Sequence, residues 1–102
     1  MTITKQKDAG VLTVSIEGSL DISTSPKLSE SLEGELDDVN EVHFDLAKTD
    51  YTSSAGLRVI LHTYQILDDK NGTVILDNVN DGFYAILKTC GFTEFLEINK
   101  CK

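Results

Sequence analysis

The chain has 102 residues, 40% hydrophobic and 25% charged, the balance of one soluble globular domain with a single modest core. Its 17 acidic residues outnumber its 9 lysines and arginines, for a formal net charge of −8. That excess argues against nucleic acid, whose binding runs on phosphate neutralisation by clustered Lys and Arg, and against an anionic membrane surface.

From the N-terminus, Thr2 to Lys7 and Val11 to Glu17 flank Asp8-Ala9-Gly10. Leu12, Val14 and Ile16 alternate with Thr13, Ser15 and Glu17, so the pair reads as a β-hairpin. Gly18-Ser19-Leu20-Asp21 ends the second strand and the polar run Ile22-Ser23-Thr24-Ser25 follows. Pro26 fits the first position of a helix with Ser25 as its cap. Leu28, Leu32 and Leu36 continue that helix at i, i+4, i+8, weakened at Gly34, into the turn Asp37-Asp38.

Val42, Phe44 and Leu46 alternate with His43 and Asp45, which predicts a strand over 41–46. Thr49 to Ser54 then reads as a strand-to-helix turn crowded with hydroxyls. Leu57, Ile60, Leu61, Tyr64 and Leu67 have the spacing of one buried helix face, and Arg58, His62, Gln65 and Asp69 the polar side. After the turn Asp68 to Gly72 comes a strand over 73–76. Asn80 is placed to cap a helix carrying Phe83, Ile86, Leu87 and Cys90, and Gly91 to stop it in a left-handed conformation. Phe95, Leu96 and Ile98 make a short last strand or apolar tail, and Lys100-Cys101-Lys102 reads as frayed.

The order ββαβαβαβ implies right-handed crossovers between parallel strands, with the hairpin adding an antiparallel edge. The expected fold is α/β: a single domain over 1–102 with a small, mixed, mostly parallel sheet and about three to four packed helices. One sheet face should be less apolar than the other.

The two cysteines, Cys90 and Cys101, have no zinc or C-x-x-C spacing, and Cys90 reads as a buried free thiol. The N-terminus lacks a charged-then-apolar leader pattern, and no apolar run is long enough for a bilayer, so a reducing cytoplasm is the expected setting.

Chemistry centres on the hydroxyl turn. A serine at a helix start caps open N–H groups or, once phosphorylated, holds its new charge where the backbone favours it. A hydrolase needs a base beside the serine, but His62 lies eight residues on, about 12 Å away at about 1.5 Å rise per residue, and there is no G-x-S-x-G elbow. His43 and Asp45 share a strand face without an evident third metal ligand and read as a solvated or hydrogen-bonded pair. Ser-Ser-Ala-Gly lacks the lysine and glycines of a phosphate loop. Asp21 either caps the turn after Leu20 or is a functional carboxylate near the central turn.

Four motifs carry a chain-wide resemblance: Gly18-Ser19-Leu20-Asp21, His43-Phe44-Asp45-Leu46, Ser53-Ser54-Ala55-Gly56-Leu57 and Leu87-Lys88-Thr89-Cys90-Gly91-Phe92. In this order they resemble the anti-sigma-factor antagonists of the STAS superfamily. The resemblance implies a STAS-like domain that works as a cytoplasmic binding switch, without enzyme activity, cofactor or metal. Its unphosphorylated form would bind an anti-sigma factor that is itself a serine kinase, releasing the sigma factor. Phosphorylation would switch this off and a metal-dependent serine phosphatase would restore it. Aligned on Gly56, the phospho-acceptor falls on Ser54, with Ser53 the runner-up. Ser53 stands where the family carries an acidic residue, and Ala55 replaces a second hydroxyl. Asp21 matches the family's Asp near the partner surface; with Ser53, Ser54, Gly56 and Arg58 it makes up the implied partner-binding set. A scaffold or adaptor role in a signalling complex or beside a lipid or anion transporter, without phosphorylation, is the alternative the altered Ser53 position suggests.

Overall fold

The computed structural model describes residues 1–101. Five strands form one sheet in the order β1-β2-β3-β4-β5: β1 (Thr2–Asp8), β2 (Val11–Leu20), β3 (Glu41–Thr52), β4 (Thr73–Val79) and β5 (Glu97–Lys100). β1 and β2 pair antiparallel through the turn at Ala9 and Gly10; every later pairing is parallel. Three helices make the connections: α1 (Ser25–Leu32), α2 (Ser54–Asp69) and α3 (Asp81–Thr89). A short 3-10 turn, Phe92–Glu94, leads into β5.

The period-two pattern divides the sheet as expected. Leu12, Val14, Ile16, Val42, Phe44, Leu46, Val74 and Leu76 lie on one face and join Leu28, Ile60, Leu67, Phe83 and Leu87 of the helices in one buried cluster. The opposite face carries Thr13, Ser15, His43, Asp45 and Asp77, all partly exposed, around the buried Ile75. Helices therefore cover one side, and among the described residues the polar side faces solvent.

Several local expectations need correction. β3 does not end at Leu46 but runs to Thr52, because β2 extends to Leu20 and pairs with it through Leu20↔Thr52. The turn expected from Thr49 thus narrows to Ser53. α1 stops at Leu32, and Gly34 (φ 76°) turns the chain, while Leu36 still reaches the core. Thr24 rather than Ser25 holds the cap position; Ser25 is the first helical residue and Pro26 follows it. On α2 the buried face is Gly56, Leu57, Ile60, Thr63 and Leu67, with Leu61 and Tyr64 half-buried at its edge. Thr63 sits among apolar neighbours because its hydroxyl donates to Val59 O (2.9 Å). Cys90 is exposed, since α3 buries only Phe83 and Leu87 and Cys90 turns away beyond its last residue. Cys101 is not frayed at its backbone: its N–H donates to Val79 O (2.9 Å). Lys102 lies outside the described residues.

The caps of α3 follow the sequence. Asn80 accepts from Phe83 N (2.8 Å), and Gly91 adopts φ 82° after the helix, a conformation that costs a Cβ-bearing residue strain.

Candidate functional site

The C-terminal ends of β2 and β3 and the start of α2 meet at one end of the sheet. Ser53 N–H donates to Leu20 O (2.9 Å), continuing the parallel ladder one residue beyond Thr52. The extended backbone of Ser53 (φ −108°, ψ 176°) then turns straight into α2, whose first hydrogen bond runs from Leu57 N to Ser53 O (3.1 Å). Gly56 lets this helix start sit directly on the strands. A Cβ there would stand 2.6 Å from both Leu20 Cγ and Thr52 Oγ1, closer than side chains pack.

Two neighbouring serines therefore differ sharply. Ser54 is the first residue of α2 and is exposed. Ser53 is the N-cap residue, yet its hydroxyl makes no capping bond; Oγ is buried and has no hydrogen-bond partner among the described residues. The first-turn N–H groups of a helix carry its positive dipole end, and no acidic side chain occupies the first turn of α2. The turn thus offers an accessible hydroxyl beside uncompensated positive potential, which suits an added phosphate.

Asp21 follows Leu20 directly and so comes to the same end of the sheet. Its Oδ1 accepts from Ser23 Oγ (2.7 Å), Ser23 N (2.9 Å) and Thr24 N (3.0 Å). Its own N–H donates to Thr24 Oγ1 (2.8 Å), and its carbonyl accepts from Ser25 N (2.9 Å) and Oγ (2.5 Å). The Ser23 hydroxyl bond, followed by the Thr24 N–H, holds its carboxyl below the usual carboxylate range. Asp21 thus performs the turn-capping role, and in doing so fixes the loop that carries Ile22.

Ile22 is 80% exposed. With Pro26 of α1 and Ala55, Arg58, Val59 and His62 of α2 it lines a mainly apolar cleft of about 440 Å³ between the two helices, bordered by Ala55, the residue after Ser54. Tyr51, 54% exposed, precedes the turn on β3. Arg58 is exposed one turn after Ser54 and reaches the same cleft. Three of the implied residues, Asp21, Ser53 and Gly56, are thus tied together through Leu20; Ser54 follows Ser53 in the chain and Arg58 stands one turn further along α2. Ile22 and Tyr51 escaped the sequence reading. Their signal was an apolar residue inside a polar run and an aromatic residue on the rim of a turn.

A separate ionisable cluster surrounds His43 on the polar face of the sheet. His43 does not pair with Asp45; its Nδ1 lies 2.7 Å from Asp77 Oδ2 and its Nε2 2.7 Å from Glu41 Oε2. Among the described residues no group of three or more His, Cys, Asp or Glu could hold a metal ion. Among the described residues no helix is long and apolar enough to cross a membrane.

Comparison with known proteins agrees with this geometry. The STAS domain family model matches residues 2–101. The chain is 26% identical over 97 residues to the anti-sigma-B factor antagonist of Listeria monocytogenes, covering 92% of this chain and 83% of that one. Its fold is similar to the anti-sigma factor antagonist SpoIIAA in its unphosphorylated form, with a TM-score of 0.79 at 12% identity over 99% of this chain and 90% of that one. It is also similar to a sulfate transporter family protein from Wolinella succinogenes, with a TM-score of 0.79 at 16% identity over 92% and 80% of the two chains. With the family model matching nearly every residue and the fold agreeing over nearly the whole chain, the protein belongs to the STAS domain family.

Proposed function

We propose that this domain is an anti-sigma factor antagonist, a cytoplasmic binding module without catalytic activity of its own. Its unphosphorylated form binds an anti-sigma factor of the serine-kinase type through the end of the sheet at Asp21, Ser53, Ser54, Gly56 and Arg58. Phosphorylation of Ser54 ends that binding, and a metal-dependent serine phosphatase restores it. The observation that carries this reading is the exposure of Ser54 on the first turn of α2 beside the Ile22-lined cleft; the antagonist role of the Listeria relative supports it.

The physics of the turn is compatible with a switch that acts at the interface rather than on the fold. A phosphate adds about −1.5 to −2 charges and three acceptor oxygens. At the N-terminus of α2 it meets open N–H donors, with Arg58 one turn along, so the domain stays folded. Against a partner surface fitted to a neutral hydroxyl the same charge costs several kcal/mol in desolvation and repulsion. A loss of affinity of about 10²- to 10³-fold requires only about 3–4 kcal/mol.

The test is incubation with the anti-sigma kinase of the same genome and ATP, followed by intact mass. Wild type gains one phosphate and Ser54→Ala gains none. A wild-type chain that stays unmodified, or a Ser54→Ala chain phosphorylated at the normal rate, removes the switch. The similarity to a transporter-family STAS protein favours, as second reading, an adaptor that works without phosphorylation. A pull-down that recovers transport components and no kinase supports that reading instead.

A further inference from the structure

His43 stands in the middle of the sheet face that no helix covers, and its surroundings define its chemistry. Both ring nitrogens lie 2.7 Å from carboxylate oxygens, Nδ1 from Asp77 Oδ2 on β4 and Nε2 from Glu41 Oε2 on β3. A neutral imidazole has one N–H and one lone pair, and an ionised carboxylate only accepts. In the neutral form one of the two contacts would set a nitrogen lone pair against a carboxylate lone pair. Two donated bonds to two carboxylates therefore require the imidazolium. Asp77 is held from the far side, where Asn99 Nδ2 of β5 donates to its Oδ1 (2.9 Å). The chain of contacts Glu41–His43–Asp77–Asn99 runs across β3, β4 and β5.

We infer that His43 is a proton-operated clamp: as an imidazolium it ties β3 to β4 and, through Asp77 and Asn99, to β5, and its deprotonation releases them. β5 has only four residues, and its register with β4 is irregular between Leu76 and Val79, so side-chain ties matter more there than in the longer ladders.

The charged groups facing His43 are all carboxylates and favour its charge. From β2 it meets Thr13, which is uncharged. Its own strand adds Glu41 and Asp45. β4 contributes Ile75 and Asp77, and β5 places Glu97 opposite Ile75. None of these neighbours is a cation. Partial burial disfavours the charged ring, but the bonds to Asp77 and Glu41 and the charges of both outweigh it, and His43 is raised above its ordinary value. A raised folded value contributes stability that is fully present below the unfolded value of about 6.5 and is lost as pH rises through the folded value. The clamp therefore loosens as pH rises through that raised value.

The test is a proton NMR titration of the His43 ring, assigned by its absence in His43→Gln, together with thermal midpoints across the same pH range. His43 is expected to titrate above about 6.5, and Asp77→Asn to move that titration downward by removing one carboxylate. The wild-type midpoint should fall between pH 6 and pH 8.5, and His43→Gln should lose most of that fall. A His43 titration at or below about 6.5, or an undiminished fall in His43→Gln, overturns the clamp. If His43→Gln does not fold, wild type and Asp77→Asn still decide: a titration point unmoved by Asp77→Asn rejects it. None of these readouts depends on the anti-sigma partner.

Discussion

Leu20 fills the space a side chain at Gly56 would need at the end of the sheet: its Cγ stands 2.6 Å from where a Gly56 Cβ would be. Leu20 is fully buried and its carbonyl also receives Ser53 N–H. One residue thus sets both the depth at which α2 docks and the point at which the chain leaves the sheet. The position of Ser54 follows from those two constraints.

Gly56→Ala should therefore destabilise the domain although alanine is the better helix former. Overpacking a core position costs about 1–3 kcal/mol, and the helix propensity of alanine offsets about 1 kcal/mol of it. Thr52 Oγ1, at 2.6 Å from the same point, blocks the alternative shift. A net loss of up to about 2 kcal/mol in urea unfolding is expected. A variant more stable than wild type would mean that the contact relaxes freely.

Ser53→Ala should be close to neutral or slightly stabilising. Ordinarily, loss of an N-cap serine costs about 1 kcal/mol, but Ser53 Oγ makes no capping bond and is buried without a partner. Removing an unsatisfied buried hydroxyl relieves a desolvation cost of about 1–3 kcal/mol. Phosphate uptake should stay at one per chain in this variant. Loss of uptake would shift the acceptor to Ser53.

Much of this was legible in the sequence because it rested on periodicity and punctuation. The alternation in β2 and β3, the Asn80 cap and the Gly91 stop all express local physics, and each appears where the residues place it. What the sequence hid depends on partners far along the chain. β3 reaches Thr52 only because β2 supplies Leu20 beside it, a pairing between residues 32 positions apart that no local pattern of Ala47 to Thr52 announces. The pairing of His43 with Asp77 rather than Asp45 has the same origin. At the site, the motif pointed to Ser54, but the cleft beside it takes Ile22 and Pro26 from one side and Ala55, Arg58 and Val59 from the other.

Ile22 should act through binding alone. At 80% exposure it contributes little packing, so Ile22→Ser should leave the thermal midpoint within a degree or two of wild type. If the cleft is the partner's seat, losing that apolar contact should weaken binding by about tenfold or more, the effect of a buried interface anchor. Isothermal titration against the anti-sigma kinase measures it; an unchanged affinity would place the interface elsewhere on the domain.

The most direct test compares wild type, Ser54→Ala and Ser54→Asp for affinity to the anti-sigma kinase by titration calorimetry, with a thermal melt of each. Added charge at Ser54 should act on the interface and not on the fold. Ser54→Ala is expected to bind within a few-fold of wild type, and Ser54→Asp about 10²-fold more weakly or worse, with all three midpoints nearly equal. Equal affinities for Ser54→Asp and wild type, or a loss of binding that tracks a loss of folding, would contradict the account.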